Sequence, residues 1–337
     1  MKFNTSIKNS IVLYILEKIS QGTKSLSKCV AQTYDISQTT VHAYLNELIE
    51  RDIIKKAKRG QYELVNREFK FFFKRSEGGL DSDTLPYDMC LSRYIGELSE
   101  NVKEIWNYTL SEMVNNVIDH SEAENMYVVI RQNYLTTSVI ITDDGIGIFE
   151  KIKNHFSLPD KDAAICELFK GKLTTDKQRH SGEGIFFSSK MMDLFLIYSS
   201  GKIFTTSKYE NEIVLDVDEC ISGTRVFMSL SNFSNKSACE VFDLYSNVDG
   251  GFTKTKIPMK NVFDSAPVSR SQAKRVCNRL EKFEEVTLDF DGISWMGQGF
   301  AHQLFVVYQS SNPQTKIVPI NMNESVSNMY NHVLKTT

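Results

Sequence analysis

The 337-residue sequence has little that would cross-link the chain or anchor it in a membrane. Its six cysteines are scattered and form no Cys-x-x-Cys pair, which argues against both a zinc site and a disulfide framework. No apolar run reaches the roughly 20 residues that a membrane span requires, and no secretory leader is recognisable. We therefore expect a cytoplasmic protein with reduced thiols and no membrane segment.

The sequence also has little net charge, because its formal charge is only −3. The distribution is uneven, since residues 1–75 contain 14 of the 39 Lys and Arg residues but 7 of the 42 Asp and Glu residues. This basic amino-terminal part is where an anionic partner such as DNA would bind. With 41% hydrophobic residues, the chain is long and apolar enough for two or three packed domains.

The most informative segment begins with a predicted helix near residue 110. Its apolar residues recur with the spacing of one helix face: Leu110, Met113, Val114, Val117 and Ile118. Glu112, Asn116 and His120 fall four apart on a neighbouring face. An Asn oxygen together with substrate phosphates can hold Mg²⁺, and a carboxylate one turn away can orient an attacking water. Taken alone, the pattern also fits an amphipathic helix with a solvated polar face.

A second motif follows a predicted strand. The apolar, β-branched run 139–142 ends at Asp143, which places a carboxylate at a strand end where it can accept a hydrogen bond from an amino group. Gly145 and Gly147 then allow close approach of the backbone to a ligand.

A third motif contains Gly182 and Gly184, which open the apolar helical stretch 185–196. Backbone amides at the start of such a helix suit phosphate. The pair Gly223 and Thr224 comes last. A single Gly-x-Gly is weak evidence, but these motifs in this order predict a magnesium-nucleotide pocket.

In this order, the motifs resemble those of the GHKL or Bergerat-fold ATPases, which include type II topoisomerases, heat-shock chaperones, mismatch-repair ATPases, sensor histidine kinases and anti-sigma-factor serine kinases. The resemblance covers residues 86–232 and implies an α/β sandwich, with a mixed sheet under a layer of helices, that binds ATP and Mg²⁺. It implies that Glu112 is the catalytic base and Asn116 the metal ligand. It also implies a set of nucleotide-binding residues: Asn116, Asp143, Gly145, Gly147, Lys172, Thr175, Gly182, Gly184 and Thr224.

The segment 149–181 would then be a lid that closes on the nucleotide. Glu112, Asn116 and His120 together are most similar to the anti-sigma-factor serine kinases. No His-Glu-x-x-x-x-Pro helix precedes the domain, which argues against a two-component sensor kinase. Three functions stay open: an ATP-driven switch, a protein serine/threonine kinase, and a scaffold that binds ATP without cleaving it.

Residues 1–66 predict three short helices and a β-hairpin, with Ser37 capping the third helix. This order resembles the winged helix-turn-helix domains of bacterial transcription regulators. The resemblance implies DNA contacts by two groups of residues: Gln38, Thr39, Thr40 and His42 on the third helix, and Lys55, Lys56, Lys58 and Arg59 in the basic turn. A protein-docking module is the alternative.

The remaining segments complete an α/β multidomain protein. Residues 67–85 are predicted to be a linker, whose aromatic run 69–73 would form an edge strand or a docking surface. Alternating strands and helices over 250–337 resemble a small STAS-like domain, which implies a protein partner. The loop 297–299 lacks the Asp-Ser pair of phosphorylatable antagonists, so a phosphoserine switch at this loop is in doubt. The ATPase resemblance also makes a homodimer plausible.

Overall fold

A computed structural model describes residues 5–173, 182–206, 222–247, 251–263 and 265–335. The described strands form three sheets, one of six strands, one of three and one of two. Helices and sheets alternate along the chain, which confirms the predicted α/β multidomain class. Among the helices that the structure describes, none combines the length and the hydropathy that a membrane span requires.

The amino-terminal module consists of three helices and a hairpin. Its elements are α1 (Thr5–Ser20), α2 (Leu26–Tyr34), α3 (Gln38–Glu50), β1 (Ile54–Lys58) and β2 (Gln61–Leu64). These elements enclose their own apolar core, which includes Ile15, Val30 and Leu45. The hydroxyl oxygen of Ser37 accepts a hydrogen bond from the Thr40 amide at 3.0 Å, so the predicted helix cap is present.

The central module is built on the six-stranded sheet. Its strands are β3 (Arg67–Lys74), β4 (Asn125–Gln132), β5 (Thr136–Asp143), β6 (Leu194–Ser199), β7 (Lys202–Thr205) and β8 (Thr224–Ser231). They lie in the order β3-β4-β5-β8-β6-β7. Every described pair in this sheet is antiparallel, so the expectation of a mixed sheet is wrong for these strands.

Strand β3 corrects the prediction of a linker over 67–85. It pairs with β4 along its whole length, and Phe72 lies opposite Tyr127. Phe73 is buried against the core, whereas Phe72 on the other face is 52% exposed. The aromatic run therefore forms an edge strand of the sheet, which was one of its two interpretations.

Helices cover one face of the sheet. They are α4 (Thr84–Pro86), α5 (Ser92–Ile95), α6 (Glu100–Asn116), α7 (Ile148–His155), α8 (Lys161–Lys170) and α9 (Gly184–Met191). The predicted apolar stripe of α6 is buried at Leu110, Met113, Val114 and Val117. Wider π-type turns over Val117–Ser121 extend this helix, a geometry that is frequent at functional sites.

The carboxy-terminal module has a parallel three-stranded sheet in the order β11-β10-β9. Its elements, after α10 (Ala238–Tyr245), are β9 (Lys254–Pro258), α11 (Met259–Val262), α12 (Arg270–Cys277), β10 (Glu285–Asp289), α13 (Gln298–Ala301), α14 (Gln309–Ser311), β11 (Lys316–Ile320) and α15 (Glu324–Lys335). π-type turns over His302–Tyr308 join α13 to α14. Helices over 271–283, 300–308 and 324–334 and strands over 286–290 and 316–319 were predicted from the sequence, whereas β9 and α14 were not.

The central and carboxy-terminal modules share one continuous apolar core, whereas the amino-terminal module has a separate one. At the shared boundary, the ring of Phe252 lies 4.7 Å from that of Phe186 and 5.0 Å from that of Phe187, between ring centres. Both of these partners belong to α9. The amino-terminal core instead packs against Tyr134 and Leu135, in the hairpin between β4 and β5.

Candidate functional site

A cavity of about 240 Å³ lies between α6, the start of α9 and the ends of β5 and β8. Most of the residues that the sequence motifs predicted line it: Glu112, Asn116, Asp143, Gly147, Gly182, Gly184 and Thr224. The rest of the wall is largely apolar. An apolar cleft with a few convergent polar groups is the usual form of a small-molecule site.

Asp143 is the buried carboxylate of the cavity. It is only 4% exposed, and its Oδ1 accepts a hydrogen bond from the Gly145 amide at 2.8 Å. Burial raises its pKa to about 6, against the opposing effect of hydrogen bonds from the backbones of Gly145 and Thr224. Gly145 does not line the cavity but shapes this loop, because a β-carbon there would lie 2.1 Å from the Ser121 carbonyl oxygen.

The chain segments around Asp143 pack backbone against backbone. Gly223 has a φ of +94°, and a β-carbon on it would lie 2.2 Å from the Asp143 carbonyl oxygen. Its own carbonyl accepts a hydrogen bond from the Ser199 hydroxyl at 2.8 Å. The Thr224 hydroxyl oxygen accepts one from the Ile148 amide at 3.0 Å, which ties β8 to the start of α7. Gly223 and Thr224 therefore fix the floor of the cavity, and Ser199 is a supporting residue that the sequence analysis missed.

Glu112 lies against the start of α9. A β-carbon on Gly184 would lie only 1.9 Å from Glu112 Oε2, so a side chain at position 184 is excluded unless Glu112 moves. The amino-terminal end of a helix favours negative charge, because its first amides have no partner within the helix. Asn116, one turn after Glu112, lines the same cavity. A carboxylate, an amide and a helix start therefore converge at one side of the cavity.

Arg75 holds the end of the helix that carries Glu112 and Asn116. Its guanidinium donates hydrogen bonds to the carbonyl oxygens of Ala123 at 2.7 Å, Ile118 at 3.1 Å and Val117 at 3.2 Å. These bonds tie Arg75 to carbonyl groups at the end of the helix and just beyond it, where the last carbonyls have no partner within the helix. The Val117 carbonyl also accepts from the Ser121 hydroxyl. No sequence pattern indicated this role, because Arg75 lies in the interval that we predicted to be a linker.

Lys151 is a second residue that the motifs did not identify. It lines the cavity, and its ammonium donates to the His120 carbonyl oxygen at 2.5 Å and lies 3.6 Å from a Glu122 carboxylate oxygen. A cation in the wall of the cavity makes the site more favourable for an anionic ligand.

Lys172 does not line the cavity, and its role as a nucleotide ligand stays a prediction. Its ammonium donates to the Lys282 carbonyl oxygen at 3.0 Å and lies 4.9 Å from the centre of the Phe283 ring. The backbone of Lys172 is left-handed, with a φ of +54°, and the side chain points into the carboxy-terminal module. The neighbouring residues Gly171 and Leu173 line the cavity instead.

The predicted lid is described only in part. Thr175 lies outside the described residues, as do all residues from 174 to 181. The part that precedes them contains α7 and α8 and is not a loop. Helix α8 is packed into the core, since Ala164, Cys166 and Phe169 are buried.

The residues around the cavity fit a magnesium nucleotide. The buried carboxylate can accept from an amino group, and the helix start and Lys151 suit phosphate. The described residues hold no group of three or more His, Cys, Asp or Glu side chains suited to a metal. Mg²⁺ does not require one, because it binds with few protein oxygens and the phosphates of its substrate. Asn116, with Glu112 one turn away, is the side chain in this arrangement that can bind Mg²⁺ through its oxygen.

The residues predicted for DNA contact lie on the surface of the amino-terminal module. Gln38, Thr39 and His42 are exposed on α3, whereas Thr40 is half-buried and its hydroxyl bonds to that of Ser37 at 2.9 Å. The four basic residues of the hairpin are exposed: Lys55, Lys56, Lys58 and Arg59. Lys55 also forms a 3.4 Å ion pair with Glu63. Their role in DNA binding stays a prediction.

Two protein-family models match the chain. Residues 103–231 match the model described as histidine kinase-, DNA gyrase B- and HSP90-like ATPase, and residues 272–327 match a STAS-like domain of unknown function. No protein with a curated description matches the chain. The chain therefore contains a GHKL-type ATPase domain and a STAS-like domain. Proteins of this ATPase family bind ATP, typically with Mg²⁺, and a STAS-like domain suggests protein interaction, so the pair supports a generic ATP-binding, regulatory role.

Proposed function

We propose that this protein is an ATP-dependent regulator. In it, Mg-ATP binding and hydrolysis by the GHKL domain switch a DNA-binding amino-terminal module and a protein-binding STAS-like domain. The observation that carries the proposal is the convergence of Glu112, Asn116, Asp143 and Gly184 on one cavity. These residues come from three separate sequence motifs, and no local pattern requires them to meet.

Each residue has a role that its position supports. Asp143, buried at the end of β5, accepts a hydrogen bond from the exocyclic amino group of adenine. The backbone at Gly182 and Gly184 donates to phosphate oxygens at the start of α9. Mg²⁺, when bound to Asn116 and the phosphates, neutralises phosphate charge. Glu112 accepts a proton from the water that attacks the γ-phosphorus.

The amino-terminal module supports DNA as the anionic partner. The exposed side chains of Gln38, Thr39 and His42 on α3 have the position of base-contacting residues in a winged helix. The basic hairpin residues would contact phosphates and add affinity that falls with salt. The alternative function of this module, docking to a protein, would not show that salt dependence on DNA.

The fate of the γ-phosphate tests the enzymatic part of the proposal. The purified chain is incubated with γ-labelled ATP and Mg²⁺, beside the variants Glu112→Gln and Glu104→Gln. Glu104 is a matched control because it is an exposed carboxylate on the same helix. We expect release of labelled phosphate by the wild type and Glu104→Gln, and loss of release with retained ATP binding in Glu112→Gln.

The other outcomes identify the competing functions. Label on a Ser or Thr of this chain or of an added partner would make the protein a serine/threonine kinase. ATP binding without cleavage, unchanged by Glu112→Gln, would make it a scaffold that binds ATP structurally. Either result would contradict hydrolysis as the switch.

A duplex-binding titration tests the DNA part. Binding of a fluorescent duplex is measured at several salt concentrations, with and without Mg-ATP, for the wild type and for Lys56→Ala/Lys58→Ala. Lys8→Ala, which removes an exposed charge from α1, is the control. The double variant should bind more weakly and with a shallower salt dependence, by about one unit of slope per lost phosphate contact. Equal DNA affinity with and without Mg-ATP would refute the switch.

A further inference from the structure

One wall of the nucleotide cavity is held by the STAS-like domain. Gly171 and Leu173, just after α8, line the cavity. Gly171 is pressed against Phe252, since a β-carbon on it would lie 2.8 Å from that ring. The Leu173 amide donates to the Gly182 carbonyl oxygen at 2.9 Å, so this wall is joined to the start of α9. The wall therefore borders the side of the cavity where the phosphates are proposed to bind.

Arg279 forms the direct link from the STAS-like domain to this wall. Its Nη2 donates to the carbonyl oxygen of Lys172 at 3.0 Å, and Lys172 lies between the two lining residues. The guanidinium is mostly buried and stacks over the Phe156 ring, with 4.5 Å between its Cζ and the ring centre. A hydrogen bond from a charged, buried donor fixes its acceptor more firmly than a neutral one. Lys172 forms a second hydrogen bond between the domains, because its ammonium donates to the Lys282 carbonyl oxygen at 3.0 Å.

A buried ion pair joins the two domains without depending chiefly on Arg279. Glu167 and Lys170, each with a side chain at most 3% exposed, form a 2.6 Å ion pair. The Lys170 ammonium also donates to the carbonyl oxygens of Asn278 at 2.6 Å and Arg275 at 3.0 Å. Arg279 is a more distant partner of Glu167, at 3.7 Å. Loss of the Arg279 side chain therefore leaves the pair between Lys170 and Glu167 in place. It removes the hydrogen bond to Lys172, the packing on Phe156 and the 3.7 Å contact with Glu167.

We propose that Arg279 is a positioning residue of the nucleotide site. By holding the Lys172 carbonyl oxygen, the STAS-like domain fixes the cavity wall at residues 171–173 and so sets the affinity of the site for the phosphates of ATP. This inference rests on the proposed nucleotide-binding function. It also makes the STAS-like domain part of the site, so that a protein bound to that domain can change ATP affinity through the contact between Arg279 and the Lys172 carbonyl oxygen.

The test compares two ligands on three variants. Mg-ATP and adenosine affinities are measured by calorimetry for the wild type, Arg279→Met, Arg279→Lys and Lys274→Ala. Methionine keeps an apolar chain against Phe156 but no donor, lysine keeps the charge and a donor, and Lys274 is an exposed cation on α12. Arg279→Met should weaken Mg-ATP about tenfold or more, because a hydrogen bond to a charged group is lost. Adenosine binding, which depends on Asp143, should change less than twofold.

A residue with only a structural role would not produce this difference between the ligands. Arg279→Lys should bind Mg-ATP more tightly than Arg279→Met, and Lys274→Ala should match the wild type. Equal weakening of Mg-ATP and adenosine would overturn the inference, as would Mg-ATP affinities of Arg279→Met and Lys274→Ala that do not differ. If Arg279→Met does not fold, the comparison of Arg279→Lys with the wild type tests the inference. Weaker Mg-ATP binding with unchanged adenosine binding would then support it. A wild type that binds neither ligand would refute the proposed function itself.

Discussion

Replacement of Asp143 by Asn should stabilise the nucleotide-free protein at neutral pH while removing its response to ATP. The carboxylate is 4% exposed, and burial raises its pKa from 3.8 to about 6. One pKa unit corresponds to about 1.4 kcal/mol, so ionised Asp143 destabilises the folded state by roughly 3 kcal/mol. Asparagine keeps the acceptor for the Gly145 amide but loses one acceptor oxygen, which costs about 1 kcal/mol. The expected net gain is on the order of 2 kcal/mol.

The size of this stability gain depends on pH. The pKa of Asp143 is higher in the folded state than in the unfolded state, so between pH 3.8 and about 6 the folded protein binds more protons. The free energy of unfolding of the wild type therefore falls as the pH rises through this window. The advantage of Asp143→Asn is fully present above pH 6 and disappears as the pH approaches 4.

Urea unfolding of nucleotide-free protein at pH 4.5, 6 and 7.5 measures this difference, with Asp144→Asn as the control. Burial alone would raise the pKa of the exposed Asp144, but hydrogen bonds from the backbone and side chain of Asn125 outweigh it and lower that pKa. Asp144→Asn should therefore give no stability gain at pH 7.5. A pH-independent difference, or a less stable Asp143→Asn at pH 7.5, would refute the account of Asp143 as a desolvated carboxylate.

The same variants test the adenine contact. A ligand at 100 times its Kd stabilises the folded state by about 2.7 kcal/mol, which the wild type and Asp144→Asn should show with Mg-ATP. Asp143→Asn should show little of this gain, because its amide presents a donor where the amino group of adenine needs an acceptor. Equal stabilisation of the wild type and Asp143→Asn by Mg-ATP would remove Asp143 from the adenine site.

Three further substitutions test the supports of the site. Gly184→Ala places a β-carbon where Glu112 Oε2 lies, so phosphate release should fall at least tenfold while the urea midpoint stays within the error of the wild type. Lys170→Met leaves the buried Glu167 carboxylate without its 2.6 Å partner and should lower the free energy of unfolding by about 3–5 kcal/mol, measured in urea. Arg75→Ala removes the donors at the end of the Glu112 helix and should cost about 1–3 kcal/mol in the same measurement.

The predicted site residues that line the cavity belong to local sequence patterns. The spacing of Glu112 and Asn116 follows from helix geometry, and the position of Asp143 follows from the apolar strand before it. Each pattern lies within about ten residues, so the local structure that it predicts depends little on the rest of the chain. Gly184 was predicted by its place before an apolar helix, although its close contact with Glu112 could be known only from the fold.

The contacts that the sequence analysis missed join residues far apart in the chain. Arg75 bonds to Ala123, 48 positions away, and Lys172 bonds to Lys282, 110 positions away. No periodicity or motif connects such pairs. Strand β9 was missed for another reason: it has only five residues, two of them Lys, and lies at the edge of its sheet. Pairing with β10, and not its own composition, makes it a strand.

The two flanking modules meet the ATPase domain at different distances from the nucleotide. The amino-terminal core contacts Tyr134 and Leu135, at the hairpin that begins β5, whereas Asp143 lies at the other end of that strand. At about 3.4 Å per residue, the strand separates these points by roughly 24 Å. The STAS-like domain instead bonds directly to Lys172 through Arg279. A ligand shifts a conformation only through contacts that differ between two states, so in the proposed switch the STAS-like domain, which contacts the cavity wall, would sense the nucleotide first. A response of the amino-terminal module must then pass through the sheet or through a partner that contacts both modules.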